Sequence, residues 1–412
     1  MALVDLRDML NHAYHNGYAV GAFDVVDLEF VAGVMEAAEH CQAPVIVSLA
    51  ESHFEYFDFE LLMAAVVAAA RRASVPVAIH LDHGAGLDTV VRAIRAGCNG
   101  VMVDASEHPL AENIRRTRAV VKTARACGVP VEGELGYVPG VEGKDAERHP
   151  GELAYTDVEE ARRYVDETGV DFLAVSVGTV HGRFRGAPRL DFDRLARLNE
   201  ALAMPLVIHG GTGLGDEQFR GLIAHGVAKI NYYTALADAA ARAVQDGARR
   251  GGGYAERLPR LRQAVREETE RCIRLWGGAG RAREVLAACR PWSEVAHVIV
   301  YNVDGPDPDG VAAMMAEGRR VLSAIPGVRE VVTGRAVSED APYRYSWLIR
   351  FCHRAVIEHY RAHPDHVAFA DGWFRPVAAD RITIDFECLE GDPPPAQTGP
   401  RSPSGGRGRS RS

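Results

Sequence analysis

The sequence predicts a (β/α)8 barrel followed by a small α+β domain. Three observations carry that reading. Between residues 18 and 234 a short apolar, β-rich run alternates with an amphipathic helical stretch, and eight such runs can be counted. The runs are continuously apolar instead of alternating, as expected of parallel strands buried on both faces. Near Arg290 the rhythm changes to a β-α-β-β-α-β order.

The eight runs fall at 18–25, 44–50, 75–83, 100–106, 130–136, 172–178, 205–211 and 227–234. Helical patterns separate them, among them 28–40, 87–96, 110–126 and 157–168. Eight strand–helix units in roughly 250 residues favour a closed barrel over an open doubly wound sheet, although periodicity alone leaves the open sheet available. Two connections, 137–155 and 179–190, are long and Gly-rich, the expected character of loops over a catalytic face. A helical stretch over 261–275 stops at Trp276-Gly-Gly-Ala-Gly280.

Behind the barrel, strands are expected at 294–303, 328–337, 343–350 and 381–387, with helices at 309–325 and 355–363, the order of a ferredoxin-like split unit. From Gly391 the chain turns to Pro, Gly, Ser and Arg, a composition that cannot bury a core. The expected division is a barrel over 1–288, a second domain over 293–390 and a disordered basic tail over 391–412.

The chain has 412 residues and a net charge of −9, with no basic stripe before the tail, which argues against a general nucleic-acid binder. Its longest apolar stretch, 61–70, is too short to span a bilayer, and the N-terminus shows no pattern of a secretory leader. Seven scattered cysteines without a Cys-x-x-Cys suggest neither a disulfide framework nor a four-cysteine zinc site. A cytoplasmic protein is expected.

Catalytic groups of such barrels come from the C-terminal ends of strands. Here those ends carry Asp24, Asp82-His83, Asp104, Glu134, His181-Gly182, His209-Gly210-Gly211 and Asn231. Most of the sixteen histidines suit surface or packed positions. His83, His181 and His209, from three separate strand ends, would converge at the mouth, and neutral imidazoles suit zinc with one position left open. His80 lies three residues before His83, so alternation places it on the opposite face, packed instead of ligating. The turn His209-Gly-Gly-Thr-Gly213 precedes an expected helix at 214–225. Its glycines let the backbone approach a phosphate, and Asn231 and Thr234 would complete the cradle.

The segments His80-Leu-Asp-His83, Val101-Met-Val-Asp104, Glu132-Gly-Glu-Leu-Gly136, Ala174-Val-Ser-Val-Gly178 with His181-Gly182, Leu206-Val-Ile-His-Gly-Gly211 and Ala228-Lys-Ile-Asn231 resemble the class II fructose/tagatose-bisphosphate aldolase family, in order, over residues 3–285. The resemblance implies zinc, or another divalent metal, bound by His83, His181 and His209. A monovalent cation is a further candidate cofactor. It implies Asp82 as proton donor, Glu142 on the long loop as base, and Asp104 and Glu134 as alternative or supporting ligands. Gly182, Gly210, Gly211, Thr212, Asn231, Tyr232, Tyr233 and Thr234 fall on the substrate's phosphate end. The implied reaction makes or cleaves an aldol bond through a metal-stabilised enediolate of dihydroxyacetone phosphate or a related ketose phosphate, with an aldehyde as second substrate.

The chain departs from the family pattern at Asp24, where Asn is common, at Ala105, where Gly is common, and at Gly143-Lys144 after Glu142. Tyr232 and Tyr233 replace smaller residues, which would put two phenols in the cradle. Two other readings stay open here: a Schiff-base aldolase using Lys229, since only Lys122, Lys144 and Lys229 exist, and a non-catalytic sugar-phosphate binder. Behind the barrel, Ile325-Pro-Gly-Val328, Tyr360-Arg-Ala-His-Pro-Asp-His366 and Ile384-Asp-Phe-Glu387 resemble the stress-responsive dimeric α/β-barrel family over 293–390. That implies self-association as a homodimer or homotetramer. His366 matches a pocket histidine that some relatives use catalytically, and a solvated, helix-ending turn is the plainer reading.

Overall fold

A computed structural model describes residues 2–138, 155–183, 189–251 and 253–388. Eight parallel strands close into a barrel in sequence order: β1 (Val20–Asp24), β2 (Val45–Ala50), β3 (Val77–Gly84), β4 (Gly100–Val103), β5 (Val131–Leu135), β6 (Phe172–Val175), β7 (Leu206–Ile208) and β8 (Val227–Tyr232). Closure is made by β8 on β1, in the register Val20↔Lys229, Gly21↔Ile230, Ala22↔Asn231 and Phe23↔Tyr232. Every residue of β1, β2, β5 and β8 is buried; β2 is apolar but for Ser48, whereas β5 and β8 bury Glu132, Glu134, Lys229 and Asn231 as well.

Aspartates start several of the surrounding helices. Asp27, Asp58, Asp157 and Asp191 each accept a backbone N–H of the first helical turn, a contact that contributes about 1 kcal/mol. One element was not anticipated. The Leu6–His15 helix lies across the N-terminal end of the barrel, where Leu6, Met9 and Leu10 pack on Ala22, Ile46, Ala78, Met102, Phe172 and Val207 from the interior. A Cβ at Gly100 would meet a Leu6 methyl, so the helix sits tightly on β4 there. The helix expected from residue 261 begins earlier, at Tyr254, and carries Pro259 within it.

The second domain has β9 (Val295–Val303), β10 (Val328–Arg335), β11 (Tyr345–Phe351) and β12 (Ala378–Glu387) in the antiparallel order β10-β11-β9-β12. The Pro308–Leu322 helix links β9 to β10, giving the ferredoxin-like connectivity read from the sequence. The second helical segment is split: Val356–Ala362 stops before Pro364, which begins the Pro364–Phe369 helix, since proline suits a first helical position and disrupts an interior one. One face of the sheet buries Trp347, Ile349 and Phe351 beside Met314, Phe369 and Phe374. On the other face the register aligns Ile382 with Val300, Ile384 with Val298 and Phe386 with Ala296; Ile382, Ile384 and Phe386 are 45%, 45% and 50% exposed.

This domain docks on the barrel's rear. Arg329 donates to the carbonyls of Arg95 (3.1 Å) and Ala96 (2.9 Å), the last residues of the Leu87–Ala96 helix, where a cation also complements the helix dipole. Arg329 also pairs with Glu294, which in turn meets Arg71 at 2.6 Å. Cys352 donates to the Cys127 carbonyl, and Trp292 N–H to the Leu3 carbonyl (2.9 Å). Ala96 and Cys127 precede strands, and Leu3 bridges to Val77 at the start of β3. The docked face is therefore the one opposite the strand ends that carry the histidines.

Candidate functional site

On β3 the side chains of Val77, Ile79 and Leu81 join the outer core cluster, whereas Ala78 belongs to the interior one. The same parity sends His80 and Asp82 inward and would send His83 out with Leu81. It does not. His83 adopts a left-handed φ of +45°, and the register against β4 shifts between Leu81 and Gly84, so the strand ends in an irregular turn that brings His83 to the mouth. The expectation that His80 lies on the opposite face is corrected accordingly. His80 is packed, but inside the barrel, with Nδ1 3.1 Å from Ser48 Oγ and Nε2 3.7 Å from Glu132.

The three imidazoles converge. Ring centroids are 4.8 Å apart for His83–His181, 4.5 Å for His83–His209 and 5.7 Å for His181–His209, and one nitrogen from each lies within 4.8 Å of the others. The outward nitrogens of His83 and His209 are fixed by carboxylates. His83 Nδ1 meets Asp104 Oδ2 at 2.8 Å, and the other Asp104 oxygen accepts from the Ser106 N–H and hydroxyl. His209 Nε2 meets Glu132 Oε1 at 2.9 Å, and Lys229 donates to Glu132 Oε2 at 2.7 Å. His83 Nε2 and His209 Nδ1 are left buried with no hydrogen-bond partner. Two such nitrogens beside a third imidazole fit a cation with soft-to-borderline preferences, and the carboxylate on each far nitrogen is the arrangement that orients metal-binding histidines.

Charges crowd this space. Burial opposes ionisation of His83, but Asp82, Asp104 and Glu134 outweigh it and hold the imidazole well above its usual range. Burial, followed by the positive His83, holds His209 well below it. Burial and the neighbouring Asp104 charge push Glu134 well above the usual carboxylate range. His83, Asp104 and Glu134 form a second set whose ligand atoms lie within 4.8 Å, sharing His83 with the first.

Asp82 is fully buried, and its Oδ1 accepts from Asn231 Nδ2 at 2.7 Å; its Oδ2 and the Asn231 Oδ1 have no hydrogen-bond partner. Strands β3 and β8 thus deliver their polar ends to one point. Thr212 Oγ1 accepts from Ala235 N–H at 3.2 Å, in the first turn of the Thr234–Arg249 helix. The glycine turn is therefore bonded to that helix, while the helix that follows it in sequence begins only at Asp216. Gly210 (φ +71°) answers a packing demand as well: a side chain there would strike the Val180 carbonyl, in the loop that carries His181 and Gly182.

The two tyrosines part company. Tyr232 is directed away from the mouth by strand alternation; its ring packs edge-on to Phe23 and Trp276, and its hydroxyl donates to Glu268 at 2.8 Å. The expectation of two phenols in the cradle is corrected to one at most. Tyr233 stands at the rim after β8, 4.3 Å from the His53 ring. Glu142 lies outside the described residues. Glu132 was not singled out as a site residue, although it is two positions before Glu134 and so on the same face of β5.

The protein-family model described as class-II fructose-bisphosphate aldolase matches residues 4–281, and that of the stress responsive A/B barrel domain matches 295–388. A "probable fructose-bisphosphate aldolase" of Bacillus subtilis is 39% identical over 288 residues, covering 68% of this chain and all of the relative. Among solved structures, the YdjI aldolase of Escherichia coli K12 is 35% identical with a TM-score of 0.62, covering 68% of this chain and 99% of that one. A putative fructose-1,6-bisphosphate aldolase of Coccidioides immitis is 30% identical with a TM-score of 0.63, covering 67% and 97%.

Proposed function

From the premise that this chain belongs to the class-II fructose-bisphosphate aldolase family, we propose that its barrel is a zinc-dependent aldolase working through the enediolate of dihydroxyacetone phosphate or a related ketose phosphate. The broader statement, an aldolase acting on a sugar phosphate and an aldehyde, follows from the family itself. The observation that carries the finer reading is the pair of buried, unpartnered nitrogens, His83 Nε2 and His209 Nδ1, with His181 beside them.

A divalent cation held by His83, His181 and His209 would supply Lewis-acid stabilisation of the negative charge on the ketose oxygens. Asp82, oriented by Asn231, exchanges the proton at the aldehyde oxygen. Glu142 is assigned removal of the carbon-bound proton on the resemblance alone. Gly182, Gly210, Gly211, Thr212, Asn231 and Thr234 grip the phosphate end and fix the reacting geometry. Asp104 steadies His83, and Glu134 backs the same imidazole. The Schiff-base alternative loses ground because Lys229 Nζ is engaged by Glu132 beneath the histidines.

The apolar sheet face of Ile382, Ile384 and Phe386 supports pairing with the same face of a second copy, giving a homodimer. Among the described residues no helix is long and apolar enough to cross a membrane, and all seven cysteines are unpaired, which suits a reducing cytoplasm. The test is incubation of zinc-loaded protein with dihydroxyacetone phosphate in deuterated water, followed by a panel of aldehydes. Exchange of one carbon-bound hydrogen is expected. A folded, zinc-loaded protein that exchanges none contradicts the reading.

A further inference from the structure

The interior of a closed eight-stranded barrel is ordinarily filled by layers of branched apolar side chains. The lower layers here are apolar throughout, with Ile46, Met102, Phe172 and Val207 filling the space beside small alanines. The layer directly beneath the histidines is not. Ser48, His80, Glu132 and Lys229 enter it from β2, β3, β5 and β8, and none is exposed to solvent.

A buried lysine–glutamate pair is a poor device for stability. Two desolvated charges seldom improve on apolar residues of similar volume, whereas removing one partner strands the other. The pair therefore needs another reason to be present. Its geometry supplies one. Glu132 divides its oxygens, Oε1 meeting His209 Nε2 at 2.9 Å and Oε2 receiving Lys229 Nζ at 2.7 Å. Oε2 is also 3.7 Å from His80 Nε2, which has no hydrogen-bond partner of its own. Two imidazoles thus flank one carboxylate, and the ammonium of Lys229 fixes its orientation.

We propose that Lys229 is a positioning residue for the cation site. By anchoring Glu132 it holds the His209 proton on Nε2, so that Nδ1 is presented bare to the mouth. Without Lys229, Glu132 is free to turn toward His80, and His209 loses the contact that fixes both its ring orientation and its tautomer. The proposal rests on the reading that His209 ligates the cation. It gives the buried lysine a role distinct from covalent catalysis.

The test uses the full-length chain and zinc alone, without substrate. Calorimetric titration of metal-free protein should show Lys229→Met and Glu132→Gln each weakening zinc binding by roughly ten- to a hundredfold. The double variant should be no weaker than the worse single one, because the two residues act through one contact. Nitrogen-15 spectra of the metal-free wild type should show His209 protonated on Nε2, a readout that needs no variant to fold. A His209 proton on Nδ1 overturns the proposal, as does Lys229→Met protein whose folded fraction is reduced but binds zinc as the wild type does. Wild-type protein that takes up no zinc overturns the reading of the site and this inference with it.

Discussion

At the barrel mouth, His83 on β3, His181 in the loop after β6 and His209 just after β7 come from segments separated by many residues; on the second domain, His359, His363 and His366 come from one short stretch of chain. Both groups put rings close together, 4.5 Å for His83–His209 and 5.4 Å for His359–His363. Their outer nitrogens differ. At the mouth, carboxylates hold His83 and His209 and leave the opposite nitrogens buried and unpartnered. In the second domain His363 Nδ1 accepts from the Asp365 N–H and His366 Nδ1 lies against the Arg361 carbonyl, while His359 Nε2 is also buried without a hydrogen-bond partner, so an unpartnered nitrogen alone does not mark a site. Among the described residues, the groups of three potential ligands that converge within 4.8 Å are both at the mouth. Local density of histidine is therefore a poor guide, because neighbours on a helix meet whatever their role. Convergence from distant segments of the barrel, with two of the three rings fixed from behind, is the informative pattern.

Truncating one histidine of each group separates the two most clearly. His209→Ala should lose both bound zinc and measurable turnover, whereas His363→Ala should change neither, as read by metal analysis beside a rate assay. Equal zinc loss in both variants would erase the distinction. A smaller effect is expected at Asp82, which touches Asn231 and stands near His209 without being needed to hold the ion. Asp82→Ala should keep its zinc while kcat falls by about 10²–10⁴, the usual contribution of a positioned acid or base.

The second domain should answer to a different change. Phe386→Arg places a charge on its exposed apolar face and should convert dimer to monomer in light scattering, with zinc content unchanged. A variant that stays dimeric would place the association surface elsewhere. The smallest effect belongs to Tyr232, whose hydroxyl bonds Glu268 outside the mouth. Tyr232→Phe should lower stability by about 0.5–1.5 kcal/mol, measured by denaturant unfolding, and leave KM for the ketose phosphate unaltered. A large rise in KM would return that phenol to the cradle.

What could be read from the sequence follows a physical boundary. Strands buried on both faces announce themselves as apolar runs, and their polar ends mark the mouth, so β1 to β8 and the histidine trio were legible before the fold. Side-chain direction at the ends was not. His83 departs from alternation through a left-handed residue and a register shift, neither of which has a compositional signal. At Tyr232 alternation does hold, and it turns the ring away from the mouth although its neighbour Asn231 points in. Glu132 could have been found from its spacing to Glu134, but the Lys229 contact joins residues 97 positions apart. The docking of Arg329 on the Leu87–Ala96 helix likewise joins distant segments, and no local pattern reports it.

The proposed chemistry depends on three imidazoles sharing one cation at the open end of the barrel. Zinc K-edge absorption on the zinc-loaded, full-length protein tests it most directly. Imidazole nitrogens are expected at about 2.0–2.1 Å, three per metal, with the imidazole signal and the metal both lost in His209→Ala. Zinc bound through sulfur, from any of the seven free cysteines, or retained with unchanged coordination in His209→Ala, would contradict it.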